Sequence, residues 1–188
     1  MAQKILAVDV GGTHLKMLAT GHRTPRKVDS GPTMTPRRMV AWVKQAASDW
    51  PYDVVSIGYP GPVKNSRPLR EPFNLGKGWV RFDYAKALGH PVKIVNDAAM
   101  QALGSYDAGR MLFLGLGTGL GSALIVDGVS VPMELAHLPY RNGKTYEDFL
   151  GVRALRRMGE KEMARVRHPH CAGLAECLQC RLRRVGRR

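Results

Sequence analysis

Three stretches of this 188-residue chain gather the residue types that phosphate and proton chemistry uses. Asp9-Val10-Gly11-Gly12-Thr13-His14-Leu15-Lys16 sets an acid, two glycines, a hydroxyl and a lysine within eight residues. Glycine has no Cβ, so backbone N–H groups can converge on an anion there. Thr13 and Lys16 add a hydroxyl and a positive charge. Asp9 suits Mg²⁺, which takes few carboxylates and keeps several waters. Gly115-Leu116-Gly117-Thr118-Gly119-Leu120-Gly121 is a second turn of the same character. Asn96-Asp97 follows the apolar run Val92–Val95 and precedes an alanine-rich segment, which puts a carboxylate at a strand end and a helix start. A helix N-terminus favours the charged form of such an acid, which can then accept a proton. The same residues also suit plainer roles: two tight hairpin turns and a helix cap.

The glycine turns fail the common nucleotide patterns. The dinucleotide fingerprint needs glycine at the first, third and sixth positions. Counted from Gly115 the sixth is Leu120, and counted from Gly117 it is Ser122. The segment that follows reads as a strand, where a dinucleotide turn would open a helix. A phosphate loop ending at Gly143-Lys144-Thr145 would need glycine at Leu138. What remains is a strand, a glycine turn and a strand, used twice, able to grip a phosphate chain with backbone donors. Glu134 and His137 lie three apart, near enough to bind adjacent hydroxyls of one ligand.

These residues need rigid elements beneath them. Lys4–Val10 reads as a strand returning through the Gly-Gly turn along His14–Thr20. Thr35-Pro36 opens a helix, with Met39, Val40, Val43, Ala46, Ala47 and Trp50 at helical spacing and Pro51 beyond. Asp53–Tyr59 reads as a buried strand, and residues 64–79 as a Pro- and Gly-rich loop around Phe73-Asn74-Leu75-Gly76. Tyr84–Leu88 predicts a short helix closed by Gly89, Val92–Val95 a strand and Ala98–Leu103 a helix ending at Gly104. Met111–Leu116 and Ser122–Val126 predict strands, and Thr145–Met158 a helix. Alternating strands and helices argue for an α/β fold with part of its sheet parallel.

Composition bounds the class. With 44% hydrophobic and 23% charged residues the chain is globular. No stretch reaches the roughly 20 apolar residues of a membrane span. The N-terminus lacks a signal-peptide layout, so cytoplasmic localisation is expected. The net charge is +14, unevenly spread. Residues 1–152 carry 18 basic and 12 acidic side chains, and residues 153–188 carry 11 and 3. A basic surface attracts polyanions without naming which. Cys171, Cys177 and Cys180 lie in the tail with His168 and His170. Their spacing fits no common zinc pattern, so free thiols are expected.

The order of motifs resembles a known family. DVGGTHLK and LGLGTGLGSALI are similar to the two phosphate motifs of the ROK sugar kinases, within the actin/hexokinase/Hsp70-like superfamily. VNDAAMQALG resembles that family's catalytic Asn-Asp segment, and IGYPGPV its first-lobe sugar-side loop. PFNLGKGW, MELAHLPY and KTYEDFLG are most similar to its polyphosphate glucokinases. The resemblance implies an actin-like (ribonuclease H-like) α/β fold, with the first lobe complete over residues 1–108 and a partial second lobe over 109–158. It implies phosphoryl transfer from polyphosphate or ATP to the 6-hydroxyl of glucose, with Asp97 as base. It further implies Asn74, Asn96, Glu134, His137 and Glu147 at the sugar. Gly11, Gly12, Thr13, Lys16, Gly117, Thr118 and Gly119 would line the donor, and Asp9 would sit near Mg²⁺. Implied partners are glucose or a related hexose and polyphosphate or a nucleotide, with a homodimer as the assembly considered, and neither a membrane nor specific nucleic acid.

Two departures stand out. Many family members follow the histidine with a zinc-binding cysteine cluster, whereas no cysteine lies between His137 and Glu147. Residues 159–188 read as a basic non-family tail, of the kind a shifted reading frame or truncation produces. Strands 111–126 are then expected to leave an unpaired edge. The alternatives are an inactive truncated fragment of the family, or a sugar-binding regulatory protein without catalysis.

Overall fold

Alternation of buried and exposed side chains builds the first sheet. In β1 (Ile5–Val10), Leu6, Val8 and Val10 are fully buried, while Asp9 falls on the opposite face. The other strands of this unit are β2 (His14–Ala19), β3 (Arg26–Asp29), β4 (Val54–Tyr59), the two-residue arms β5 (Val63–Lys64) and β6 (Arg67–Pro68) of a hairpin, and β7 (Val92–Asn96). The computed structural model describes residues 2–116, 119–150, 154–162, 165 and 181–186. The chain divides into two units, residues 1–100 and 101–188.

The first unit has a five-stranded sheet in the order β3-β2-β1-β4-β7. β1, β2 and β3 form an antiparallel meander, and β4 and β7 run parallel to β1. Two helices make the crossovers that parallel strands require: α1 (Pro36–Ala46) before β4, and α2 (Tyr84–Leu88) before β7. Thr35 caps α1 by accepting from Arg38 N at 3.4 Å, with Pro36 at the first helical position. Asp83 caps α2 through Lys86 N at 3.0 Å, and Gly89 closes it at φ 78°. The buried faces of these elements meet in one core with Trp79, Tyr59, Met39 and Leu88. The segment expected to be loop over 64–79 begins with the β5–β6 arms. Ser66 Oγ accepts from Ile94 N at 2.6 Å, which satisfies one N–H on the outer edge of β7.

α3 (Asp97–Gly104) follows β7 without a linker. The second unit then contains β8 (Arg110–Leu116), β9 (Leu120–Val126), β10 (Val129–Pro132), a 3₁₀ turn over Leu135–His137, β11 (Pro139–Arg141), β12 (Lys144–Thr145), α4 (Tyr146–Leu150) and β13 (Arg181–Gly186). Residues 154–162 are also helical. The helix expected over Thr145–Met158 is therefore α4 plus this later segment, with residues 151–153 outside the described set. The sheet order is β10-β9-β8-β13, with β8, β9 and β10 antiparallel and β13 parallel to β8. This repeats the β3-β2-β1-β4 part of the first sheet. β13 occupies the edge of β8 expected to be open, pairing from Arg181 opposite Met111 to Gly186 opposite Leu116. Leu112, Leu114, Leu120, Leu135, Ala136 and Leu150 form the core here.

Candidate functional site

The first glycine turn joins β1 to β2. Gly11 N donates to His14 O at 3.1 Å, so its N–H closes the turn and Gly12 and Thr13 form the tip. Ser30 buttresses it, donating through Oγ to Gly11 O at 2.6 Å and through N to Thr13 O at 3.0 Å. Register places Asp9 opposite Lys16, and directly paired residues of antiparallel strands share a face. Burial pushes the Asp9 carboxyl up from its ordinary value, and the Lys16 charge pulls it down. A half-buried carboxylate with a raised pKa is better satisfied by a cation. No group of three or more His, Cys, Asp or Glu that could hold a metal occurs among the described residues. The tail's His168, His170, Cys171, Cys177 and Cys180 lie outside the described residues.

Asn74 reaches this turn from the 70–80 loop. A methyl built on Gly12 would lie 3.2 Å from Asn74 Cβ and 3.5 Å from its Nδ2, so the bare Gly12 lets the amide approach. The loop is pinned on both sides. The Glu71 carboxylate accepts from Gly78 N, Trp79 N and Val80 N at 3.0, 3.1 and 3.2 Å. Trp79 is fully buried, and its Nε1 donates to Gly76 O at 2.7 Å. Tyr59 OH donates to Arg70 O at 2.7 Å, and Tyr84 OH to Trp79 O at 2.9 Å. Glu71 was not singled out from the sequence, since its partners are backbone groups that no residue pattern displays.

Asn96 and Asp97 divide their duties. Asn96 Oδ1 accepts from Ala98 N at 3.0 Å and Ala99 N at 3.2 Å, so Asn96 supplies the cap of α3. Its Nδ2 donates to Gly61 O at 3.2 Å, fastening the strand end to the loop after β4. Asp97 occupies the first turn, half-buried, and its Oδ1 accepts from Ala98 N at 2.8 Å. Gly58, another residue missed from the sequence, makes room for this helix start. A methyl on it would lie 2.9 Å from Met100 Sδ and 3.4 Å from Asp97 Cα.

In the second unit, Glu134 and His137 bracket the 3₁₀ turn, both exposed, while Leu135 and Ala136 between them are buried. The Glu134 side chain makes no capping bond. Its backbone is held by Ser122 on β9, a buried hydroxyl that donates to Met133 O and accepts from Leu135 N, each at 3.2 Å. On α4, Asp148 caps the helix start, accepting from Thr145 N at 2.8 Å and Thr145 Oγ1 at 3.1 Å. Those bonds hold its carboxyl below the ordinary value. Glu147 is left out of the cap and lies against Gly119. Gly117 and Thr118 lie outside the described residues.

No protein-family model matches the chain. A glucokinase from Pyrobaculum calidifontis is 27% identical over 139 residues, 67% of this chain and 44% of the relative. The chain thus spans less than half the length of that curated relative. An inorganic polyphosphate/ATP-glucomannokinase from an Arthrobacter strain superposes with a TM-score of 0.79 at 23% identity, covering 98% of this chain and 84% of the other. A ROK family glucokinase from Streptomyces griseus, solved with glucose and AMPPNP, gives 0.71 at 22% identity, covering 93% and 65%. The fold is that of the ROK sugar kinases. The two sheets of this chain share one strand order, β3-β2-β1-β4 and β10-β9-β8-β13. Among the described residues no helix is long and apolar enough to cross a membrane.

Proposed function

We propose that this chain is a ROK-family hexose kinase that moves a phosphoryl group from polyphosphate or ATP to the 6-hydroxyl of glucose. The observation that carries the reading is the division of labour at Asn96-Asp97. Asn96 caps α3 and ties down the strand end. The helix start therefore does not need Asp97 as its cap, and Asp97 takes the role of general base. A sugar hydroxyl is a poor nucleophile, so a carboxylate must accept its proton as the new bond forms. Phosphoryl transfer otherwise rests on positioning and charge stabilisation. Asn74, Asn96, Glu134, His137 and Glu147 orient the sugar. Glu134 and Glu147 suit that task because neither is consumed in the capping bonds around it. Gly12 and Thr13 at the turn tip, with Lys16, receive the donor, and Gly11, Gly117, Thr118 and Gly119 complete its lining. Asp9 holds Mg²⁺ there, which when bound neutralises charge on the donor phosphates. The partners are glucose and a polyphosphate or nucleotide, in the cytoplasm.

The test is formation of glucose 6-phosphate with polyphosphate and with ATP, for the unaltered chain and for Asp97→Asn. The expected result is a fall of about 10²-fold or more in kcat, the usual contribution of a positioned base. Equal rates for the two proteins would remove Asp97 from that role.

A further inference from the structure

By resemblance Gly119 belongs to the phosphoryl donor and Glu147 to the sugar, yet within the second unit the two are in contact. A methyl built on Gly119 overlaps Oε1 of Glu147, and lies 3.1 Å from its Cδ and 3.9 Å from its Cγ. All three atoms nearest to that methyl belong to Glu147. The Cα–H that a side chain would replace therefore points at the carboxylate oxygen, a weak Cα–H···O contact. Glu147 Oε1 is the far end of a flexible side chain, so a methyl on Gly119 displaces the carboxylate, while the backbone of Glu147 stays with α4, anchored at one end by the Asp148 cap on Thr145 and at the other by the fully buried Leu150. The carboxylate is half-buried and has no hydrogen bond or ion pair with the other described residues. Among the described residues, its place is thus set by its contact with Gly119.

We propose that Gly119 is a positioning residue for Glu147: its missing side chain seats the carboxylate that the proposed function assigns to the sugar. The geometric part stands on the contact itself, while the consequence for sugar rests on the hexose kinase reading. A glycine that serves the donor through its N–H tolerates a methyl on Cα, provided the backbone holds. A glycine that seats a carboxylate loses that seat when it gains one.

The experiment uses the full chain and the variants Gly119→Ala, Glu147→Ala and the pair combined, with Gly119→Ser as a second test of the seat. The first readout needs no ligand. The ¹³C carboxyl resonance of Glu147, assigned as the signal lost in Glu147→Ala, is expected to shift in Gly119→Ala and Gly119→Ser; an unmoved resonance overturns the proposal. The second is the KM for glucose and for the donor, with the other substrate saturating. Gly119→Ala is expected to raise the glucose KM about tenfold, comparable to losing one hydrogen bond to a charged group. It should add less than about twofold to the glucose KM of Glu147→Ala, because residues acting through one another are not additive. Additive effects, or a rise confined to the donor KM, overturn the proposal. If the unaltered chain phosphorylates no glucose while the resonance still moves, the kinase reading falls and the seat stands.

Discussion

Replacing Ser122 by alanine tests whether one buried hydroxyl holds the segment that carries Glu134. Ser122 is 7% exposed, and its Oγ both donates to Met133 O and accepts from Leu135 N, each at 3.2 Å. Alanine leaves the Leu135 N–H without a partner beside a side chain that is also 7% exposed. An orphaned buried donor costs about 1–3 kcal/mol, and the lost bond to Met133 adds about 1 kcal/mol, a net bond's usual worth. The expected loss is about 2–4 kcal/mol. With a urea slope near 2 kcal/mol/M, the midpoint of the second unit's unfolding falls by about 1–2 M. The matched control is Ser48→Ala, which removes an exposed hydroxyl bonded to Gln45 O at 3.0 Å and should cost within about 0.5 kcal/mol. Because Glu134 lies between the two clamped residues, the glucose KM should rise in Ser122→Ala while the donor KM holds. A midpoint within about 0.2 M of the unaltered chain would refute the clamp.

Glu71→Ala removes the acceptor of three consecutive N–H groups, and amide hydrogen exchange at Trp79 and Val80 should quicken by about 10-fold or more, with Glu71→Gln intermediate because one amide oxygen still accepts. Gly58→Ala should cost about 1–3 kcal/mol through crowding of Met100 and the backbone of Asp97, and a double-mutant cycle with Met100→Ala should show the cost shrinking when Met100 is shortened. Hydrogen bonds from Arg26 hold the Asp49 carboxyl at about 2, below its ordinary 3.8. A depressed folded-state value means stability present above about pH 4 and lost as pH falls toward 2. The difference in unfolding midpoint between the unaltered chain and Asp49→Asn should therefore stay constant near neutrality and narrow across that window.

Signals confined to a few neighbouring residues were legible in the sequence. Thr35-Pro36 starts α1, and Tyr84–Leu88 with Gly89 is α2 to the residue. The antiparallel pair around Gly11-Gly12 is β1 and β2. β3 was not legible because Val28 is its only apolar residue; its strand character comes from pairing with β2 and from Arg26, which binds Asp49 and stacks 4.0 Å over Trp50. Two turns carried a signal that went unread: Asp127-Gly128 and Asn142-Gly143 have positive φ at both residues and join β9 to β10 and β11 to β12. β13, with three basic residues among its six, has no apolar alternation that would announce it, and its strand form follows from its partner β8.

The sequence by itself named the candidate residues: spacing marked the two glycine turns and Asn96-Asp97, and the resemblance of the motifs supplied the roles proposed for them. Tertiary structure decided how those residues are employed. Asn96 and Asp148 supply helix caps, and Glu147 is left out of one. Gly12 faces Asn74, Gly58 faces Met100 and Asp97, and Gly119 faces Glu147. A glycine's sequence context records that a side chain is missing, but what fills the vacated space is a neighbour that only folding brings there, up to 62 residues away in the case of Asn74.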